Sequence, residues 1–338
     1  MAYTSFLRQR EQYFRTIYTY PFYDENSIQF IRRSSSENII SHRGCINTLR
    51  WSLGGQKLIS GSDDLEVKIW DVSDLSSVNL NRKISTGHTS NIFCADLSPV
   101  NSNLVISAAA DGTLRRNDLT NSQSTLIYNG NLREGSNANM IHMFHFDISQ
   151  PNVIYIAEDS GYATRLDCRI HNSNEVVFNR NGYYGIRAGV ASSPVKMLVQ
   201  RENNNLLLIG SQGFDIHLLD LRMGYSPDRH QSESVVHTYS PINKGSPSSY
   251  PAVYCRGNKT AYDNAHISVS GLCYSKDGTT ILVSYHNDQI YLFNTDESLD
   301  GKNHSGAKSC LGGHLNSRTF LKTVSFFGPR DEYVVSGG

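Results

Sequence analysis

The sequence predicts an all-β fold built from repeated four-stranded sheets. Within its 338 residues, a segment that begins at His42 aligns with a second segment that begins at Gly87. His88 repeats the position of His42, and Asp111 repeats that of Asp64. The copies are separated by close to the roughly 40–45 residues of a four-stranded propeller blade. Short apolar runs that alternate with turn residues at this period indicate a β-propeller.

The strands of the two copies can be assigned in order. Residues 58–60 form a short apolar strand, the chain turns at Asp64, and Val67 and Ile69 resume the apolar pattern at period two. In the second copy an Asp-Gly dipeptide begins at Asp111 between two apolar runs, which is a strong hairpin signal. Each copy therefore predicts short strands joined by tight turns.

Weaker copies continue along the chain. They begin near Met140, Ser193, Ile267 and Gly312. The last copy stops at Gly338, so we expect a propeller domain over residues 37–338 with five blades and a partial sixth. The expected type is seven-bladed and C-terminally incomplete, which leaves open whether the chain is a fragment or the product of a truncated gene model.

Three further segments complete the domain assignment. Residues 1–36 are predicted to contain a short N-terminal helix followed by a lead-in to the propeller. Residues 224–264 are rich in Ser, Pro and Asn, and residues 296–309 are polar and contain Gly. Both of these stretches are predicted as loop insertions on the blades.

Four residues of the first copy resemble the polar set of WD repeats. They are His42, Ser60, Asp64 and Trp70. In that family the set forms a hydrogen-bonded network, which gives buried polar groups their partners and fixes one geometry. The second copy retains three members of the set: His88, Ser107 and Asp111. It has Asn117 in place of the tryptophan, and later copies lose more of the set.

The chain resembles one group of WD-repeat proteins in particular, the substrate receptors of cullin-4 RING ubiquitin ligases. The segments that carry this resemblance are HRGCINTL, ISGSDDLEV, GHTSNIF, DGTTILVSYHNDQIYLFN and GHLNSRTFLK. The resemblance implies a non-catalytic receptor that binds the damage-specific DNA-binding protein 1 adaptor and an unknown target protein. The alternative is a WD-repeat scaffold for transcriptional or signalling complexes without ligase association.

The same resemblance implies adaptor-contacting residues. The family's motif is W-D-x-R at the end of a blade's third strand, and it occurs here twice with leucine in place of tryptophan. The implied contacts are Asp167 and Arg169 in one copy and Asp220 and Arg222 in the other. A guanidinium at a strand end can form forked hydrogen bonds to a partner. The alternative is that each arginine pairs with the neighbouring blade.

A second adaptor contact is implied before the propeller. Phe6, Leu7 and Phe14 cluster on one face of the predicted N-terminal helix. Similar receptors insert such a helix into a groove of the adaptor. The alternative is a helix that packs on the propeller of this chain.

Composition and motifs argue against other functions. Lysine plus arginine balance aspartate plus glutamate at 31 each, so nucleic acid is not an expected partner. No run of about 18 apolar residues is present, so no membrane association is expected. No catalytic motif, phosphate loop or cofactor signature is present, and His142 and His145 are predicted on opposite faces of a strand, which is unsuitable for shared metal ligation. We expect no enzyme activity, no cofactor and no metal, and a location in the nucleus, the cytoplasm or both.

Overall fold

The computed structural model describes thirteen stretches of the chain. They are residues 42–52, 54–72, 78–132, 139–147, 149–170, 173–179, 195–200, 205–223, 234–241, 267–295, 304–312, 324–328 and 330–336. The chain divides into two compact units, Met1–Ile127 and Tyr128–Gly338. The helix predicted within residues 1–36 lies outside the described residues.

The first unit contains two four-stranded sheets in which each strand lies beside the next along the chain. The first sheet comprises β1 (Ile46–Trp51), β2 (Lys57–Ser62), β3 (Glu66–Asp71) and β4 (Asn79–Ser85). The second comprises β5 (Ile92–Ser98), β6 (Asn101–Ala109), β7 (Thr113–Asp118) and β8 (Gln123–Asn129), which extends two residues into the second unit.

The two sheets of the first unit share one apolar core. Ile59 and Val67 of the first sheet and Ile92 of the second are fully buried in this core. The sheets approach closely at Gly61, where an added Cβ would lie 2.8 Å from Cγ2 of Ile92. Glycine is therefore required at this point of β2 because a larger side chain would push the sheets apart.

The second unit contains three larger sheets and one two-stranded sheet. The first of them, in chain order, comprises β9 (Ile141–Phe146), β10 (Val153–Glu158), β11 (Tyr162–Asp167) and β12 (Glu175–Asn179). The next comprises β13 (Val195–Gln200), β14 (Leu206–Ser211), β15 (Ile216–Asp220), β16 (Val235–Tyr239) and β20 (His304–Ser305). The last two comprise β17 (Ser268–Tyr274), β18 (Thr280–His286), β19 (Ile290–Asn294) and β21 (Ser309–Leu311), and then β22 (Val324–Phe327) with β23 (Tyr333–Ser336). Short 3-10 helices occupy Gly130–Leu132 and Leu221–Met223.

The sheets of the second unit follow one another through their first strands. β9 contacts β13, β13 contacts β17, and β17 contacts β22. The largest fully buried side chains in this unit include Tyr239, Tyr285 and Phe178. This packing of successive four-stranded sheets is the arrangement that the blade repeat predicts.

The two predicted loop insertions contain strands. β16 lies inside residues 224–264 and pairs with β15, and β20 lies inside residues 296–309 and pairs in parallel with β16. β21 begins at Ser309, the last residue of the second predicted insertion. The assignment of these ranges as loops throughout was wrong because β-branched and aromatic residues in the segment VVHTY supply strand propensity within otherwise polar sequence.

The expectation of a seven-bladed type is not met in the described part of the chain. Those residues form five four-stranded blades and one two-stranded sheet, counting β20 as an addition to the fourth blade. They contain no α-helix. The sheets are numbered below as blades one to five in chain order.

Candidate protein-interaction site

Blade one carries a continuous chain of hydrogen bonds that links its second and third strands to the loop before its first strand. Nε1 of Trp70 donates to Oγ of Ser60 at 2.9 Å, and Oγ of Ser60 lies 2.7 Å from Nε2 of His42. Nδ1 of His42 donates to the carboxylate of Asp64 at 2.9 Å. The structure thus brings together all four residues of the predicted set, and each polar group is hydrogen-bonded to the next.

Blade two repeats this arrangement with a different donor. Nε2 of His88 lies 2.9 Å from Oγ of Ser107, and Nδ1 of His88 lies 3.0 Å from Asp111. Asn117 stands where the first blade has tryptophan, and its Nδ2 donates to Oγ of Ser107 at 3.0 Å. The sequence alone shows the loss of tryptophan but not that asparagine still supplies the N–H donor.

Hydrogen bonding determines the direction of the pKa shift of the Asp111 carboxyl group in blade two. Burial by itself raises the pKa of Asp111, but hydrogen bonds from His88, Thr113 and the backbone N–H of Thr89 outweigh this effect. The pKa of Asp111 is therefore held well below its ordinary value. The ionised carboxylate is the form that can accept all of these bonds.

Blades three to five replace the serine of the network by aliphatic residues. In the strand register, Ser60 and Ser107 correspond to Ile156, Ile209 and Val283. These three side chains are fully buried. The polar network is therefore confined to blades one and two among the described residues.

Blade three contains a different buried polar centre, which the sequence analysis missed. Glu158 is fully buried at the end of β10. Its carboxyl group accepts hydrogen bonds from Oη of Tyr128 at 2.9 Å, from Nδ2 of Asn139 at 2.6 Å and from Oγ1 of Thr164. The available signal was an acidic residue directly after the apolar run VIYIA, where a buried carboxyl group requires partners.

The Asp-x-Arg sequence of blade three forms a closed local unit. Nε of Arg169 donates to Oδ1 of Asp167 at 2.9 Å, and Nη2 donates to Oδ2 at 2.6 Å. The guanidinium lowers the pKa of Asp167 to about 2. The aspartate side chain is buried, whereas the arginine side chain is 61% exposed. The guanidinium therefore faces solvent in one fixed orientation.

Blade four repeats this geometry. Nε of Arg222 donates to Oδ1 of Asp220 at 2.9 Å, and Nη2 donates to Oδ2 at 2.5 Å. The side chain of Arg222 is 70% exposed, and its hydrogen bonds lower the pKa of Asp220. Both arginines thus bind the aspartate of their own motif. The alternative in which each arginine pairs with the neighbouring blade is not what the described contacts show.

A polar cavity of about 280 Å³ lies between blades three and four beside Arg222. Blade three contributes Tyr155, whose hydroxyl donates to Asp147, and Arg165, whose guanidinium lies 3.7 Å from Glu175. Blade four contributes the end of β15 and the following turn. Arg222 therefore stands at the edge of a concave surface, whereas Arg169 does not line this cavity.

Other candidates receive no support as chemical sites. Nε2 of His142 pairs with Asp159 at 2.9 Å, and Nδ1 of His145 pairs with the carbonyl of Phe146. Within the described residues no group of three or more His, Cys, Asp or Glu side chains could hold a metal ion, and no helix is long and apolar enough to span a membrane. The predicted adaptor contacts Phe6, Leu7 and Phe14 lie outside the described residues.

The family profile for "WD domain, G-beta repeat" matches residues 34–71 and 81–116. These stretches hold almost all of the polar networks of blades one and two; Asn117 lies just past the second. The β-propeller domain of Cps50 (Swd1) from Myceliophteria thermophila has a TM-score of 0.57 to this chain at 16% identity, covering 88% of this chain and 80% of that one.

Curated relatives extend the similarity over most of the chain. WD and tetratricopeptide repeats protein 1 of Mus musculus is 29% identical over 276 residues, which covers 78% of this chain and 39% of that protein. DDB1- and CUL4-associated factor 6 of Homo sapiens is 25% identical over 282 residues, which covers 78% of this chain and 28% of that protein. The chain thus spans well under half the length of these relatives.

Fold, repeats and comparisons together define the class of protein. The chain is an all-β WD-repeat protein with a WD40 β-propeller fold. Propellers of this kind are in general non-enzymatic scaffolds that bind partner proteins through their surfaces. The exposed arginines of blades three and four are candidates for such binding.

Proposed function

We propose that this chain is a non-catalytic substrate receptor that recruits target proteins to a cullin-4 RING ubiquitin ligase. It would bind the damage-specific DNA-binding protein 1 adaptor through the surface that contains Arg169 and Arg222. The observation that carries the proposal is the repeated, exposed Asp-x-Arg unit in two adjacent blades. The name of one relative, DDB1- and CUL4-associated factor 6, supports the choice of partner.

Fixed orientation is what makes these arginines suitable for binding. An unrestrained arginine loses side-chain entropy when a partner immobilises it, and this loss subtracts from affinity. Asp167 and Asp220 already hold the two guanidinium groups in place. A partner that accepts a hydrogen bond from either group therefore incurs a smaller entropic cost.

The position of the cavity suggests which of the two arginines contributes more to adaptor binding. Arg222 lines the cavity between blades three and four, whereas Arg169 does not. Contacts in concave, well-packed places carry more binding free energy than contacts at an exposed rim. We therefore expect Arg222→Glu to weaken adaptor binding more than Arg169→Glu.

The test is adaptor capture by the full chain and its charge-reversal variants. Arg169→Glu combined with Arg222→Glu should weaken binding by about 2 kcal/mol or more, because it removes the anchored donors and adds repulsion. Arg116→Glu is the matched control, since Arg116 is an exposed strand arginine in blade two. A variant that lacks residues 1–36 tests the contact implied for Phe6, Leu7 and Phe14.

Thermal melting separates loss of binding from loss of folding. The double variant should melt close to the wild type because both arginines are exposed. If the double variant and the N-terminal deletion capture the adaptor as well as the wild type does, the alternative is favoured. In that case the chain is a WD-repeat scaffold for transcriptional or signalling complexes without ligase association.

A further inference from the structure

Each exposed arginine is followed directly by an exposed large apolar residue. Ile170 follows Arg169 and is 59% exposed, and Met223 follows Arg222 and is 47% exposed. A single exposed apolar side chain on a surface is common and needs no explanation. Two of them at the same position of adjacent blades, each beside an anchored guanidinium, form a repeated pattern.

The backbone holds the two turns in a similar way. The N–H of Cys168 donates to the carbonyl of Asn152 at 2.8 Å, and the N–H of Leu221 donates to the carbonyl of Asn205 at 2.7 Å. In blade three, the N–H of Ile170 also donates to the carbonyl of Asp167 at 3.1 Å. Both apolar residues are thus attached to turns that are fixed to their own sheets.

Blade two shows that this turn does not require an arginine and an apolar residue. There the N–H of Leu119 donates to the carbonyl of Asn103 at 2.8 Å, as in blades three and four. The next two positions hold Thr120 and Asn121, and Thr120 donates to Asp118 through its N–H and its hydroxyl. The turn therefore forms with small polar side chains and does not by itself require the arginine and apolar residues of the other two blades.

The charge of each anchored arginine is largely neutralised, which bears on the contribution of the neighbouring apolar residue to binding. The aspartate of each motif neutralises much of the positive charge and uses Nε and Nη2 of the guanidinium. Within the described part of the chain, Nη1 of each arginine bonds to no acceptor. A nearly neutral pair with one remaining donor orients a partner but attracts it weakly, so affinity must come from apolar contact.

We propose that Ile170 and Met223 are the apolar contact points of this surface and that its occupant is an adaptor segment of matching chemistry. The segment would place apolar side chains against Ile170 and Met223 and an acidic side chain or carbonyl oxygen against Nη1 of each neighbouring arginine. The remaining N–H donors of Nη1, which a purely apolar segment would leave without an acceptor, select this occupant over a purely apolar one. The inference rests on the proposed function, since it assigns contacts within the same surface.

The test measures the dissociation constant of the purified adaptor for the full chain and its variants. Ile170→Ser combined with Met223→Ser should weaken binding roughly 10-fold or more, whereas Ile170→Val combined with Met223→Leu should retain it. Leu132→Ser is the matched control, because Leu132 is an exposed apolar residue of the same unit. Salt should change the dissociation constant of the wild type only slightly, since the Asp-Arg pairs are nearly neutral.

The outcomes separate this inference from the proposed function. If the serine variant binds as tightly as the wild type while the arginine reversal does not bind, this inference is overturned and the proposed function stands. Strong weakening of wild-type binding by salt also overturns the apolar role. A wild-type chain that does not bind the adaptor overturns both proposals.

Discussion

Blades two and three have the same four-stranded arrangement but differ in the residue at one core position of the second strand, which is polar in blade two and apolar in blade three. In blade two, Ser107 lies near the end of the second strand and connects His88 to Asn117. In blade three, Ile156 occupies the same register position and is fully buried. Both blades nevertheless form four-stranded sheets.

The comparison shows that the polar network is not what makes a blade. Apolar burial at Ile156, Ile209 and Val283 sustains three blades without it, as expected when both partners of a buried hydrogen bond are replaced by apolar groups. The network instead ties the loop before the first strand to the turn between the second and third strands. The family profile matches residues 34–71 and 81–116, the stretches that contain most of this polar set.

Replacing Glu158 by alanine should have the largest effect and tests the polar centre of blade three. The substitution removes the carboxyl acceptor that the buried Tyr128, Asn139 and Thr164 share, so we expect a loss of roughly 3–5 kcal/mol in the free energy of unfolding. Denaturant unfolding measures it. Glu158→Gln is the matched variant and should lose less, because its amide oxygen still accepts. Equal, small losses for both variants would mean that blade three depends on apolar packing alone.

Replacing Ser60 by alanine should have an intermediate effect and tests the network of blade one. His42 and Trp70 both lose their shared partner, so the expected loss is about 1–3 kcal/mol. Combining Ser60→Ala with His42→Ala should cost less than the sum of the two single changes, because the second removal leaves fewer unsatisfied groups. Strictly additive losses in this double-mutant cycle would contradict a connected network.

Replacing Asp96 by asparagine should have the smallest effect, and it should be stabilising. Burial raises the pKa of Asp96 to about 6, although Arg50 and the backbone N–H of Leu97 oppose the rise. A carboxyl group whose pKa is raised on folding favours the folded state below its ordinary pKa of 3.8, and this advantage is lost as the pH rises through about 6. Asp96→Asn should therefore raise the unfolding free energy by about 1 kcal/mol at pH 7.5. This is less than the roughly 3 kcal/mol that a shift of about two pKa units represents, because the buried amide of the variant also needs hydrogen-bond partners.

The pH dependence is the control for this last prediction. At pH 4 most of the native Asp96 carboxyl groups are protonated, so the wild type and the variant should melt at nearly the same temperature. At pH 7.5 the variant should melt higher. A gain of the same size at both pH values would show that burial of the charge is not its cause. Asp111 contrasts with Asp96 in the same unit, because its hydrogen bonds lower its pKa rather than raise it.

Much of the fold could be predicted from the sequence, because repeats leave a periodic signal. The Asp-Gly turn at Asp111 and the repeat from His42 to His88 indicated blades directly. The strands within 224–264 and 296–309 could not be predicted in this way. β16 and β20 pair with each other in parallel although they are far apart in the chain, and local composition carries no information about such pairing.

The candidate site was predictable in its residues but not in its geometry. The Asp-x-Arg sequences drew attention to Arg169 and Arg222, but sequence could not show whether the arginines pair locally or with a neighbouring blade. The exposure of Ile170 and Met223 was equally inaccessible, because an apolar residue after a strand is buried or exposed according to the turn that follows.

By itself the sequence determined the blade repeat, the polar set of His42, Ser60, Asp64 and Trp70, and the positions of the two Asp-x-Arg units. These features depend on residue spacing, which is fixed along the chain. Tertiary structure alone decided which carboxyl groups are buried with partners, as Glu158 is, and which side chains face solvent. The physical reason is that burial and hydrogen bonding depend on residues distant in sequence, such as Tyr128 and Asn139 around Glu158, which only folding brings together.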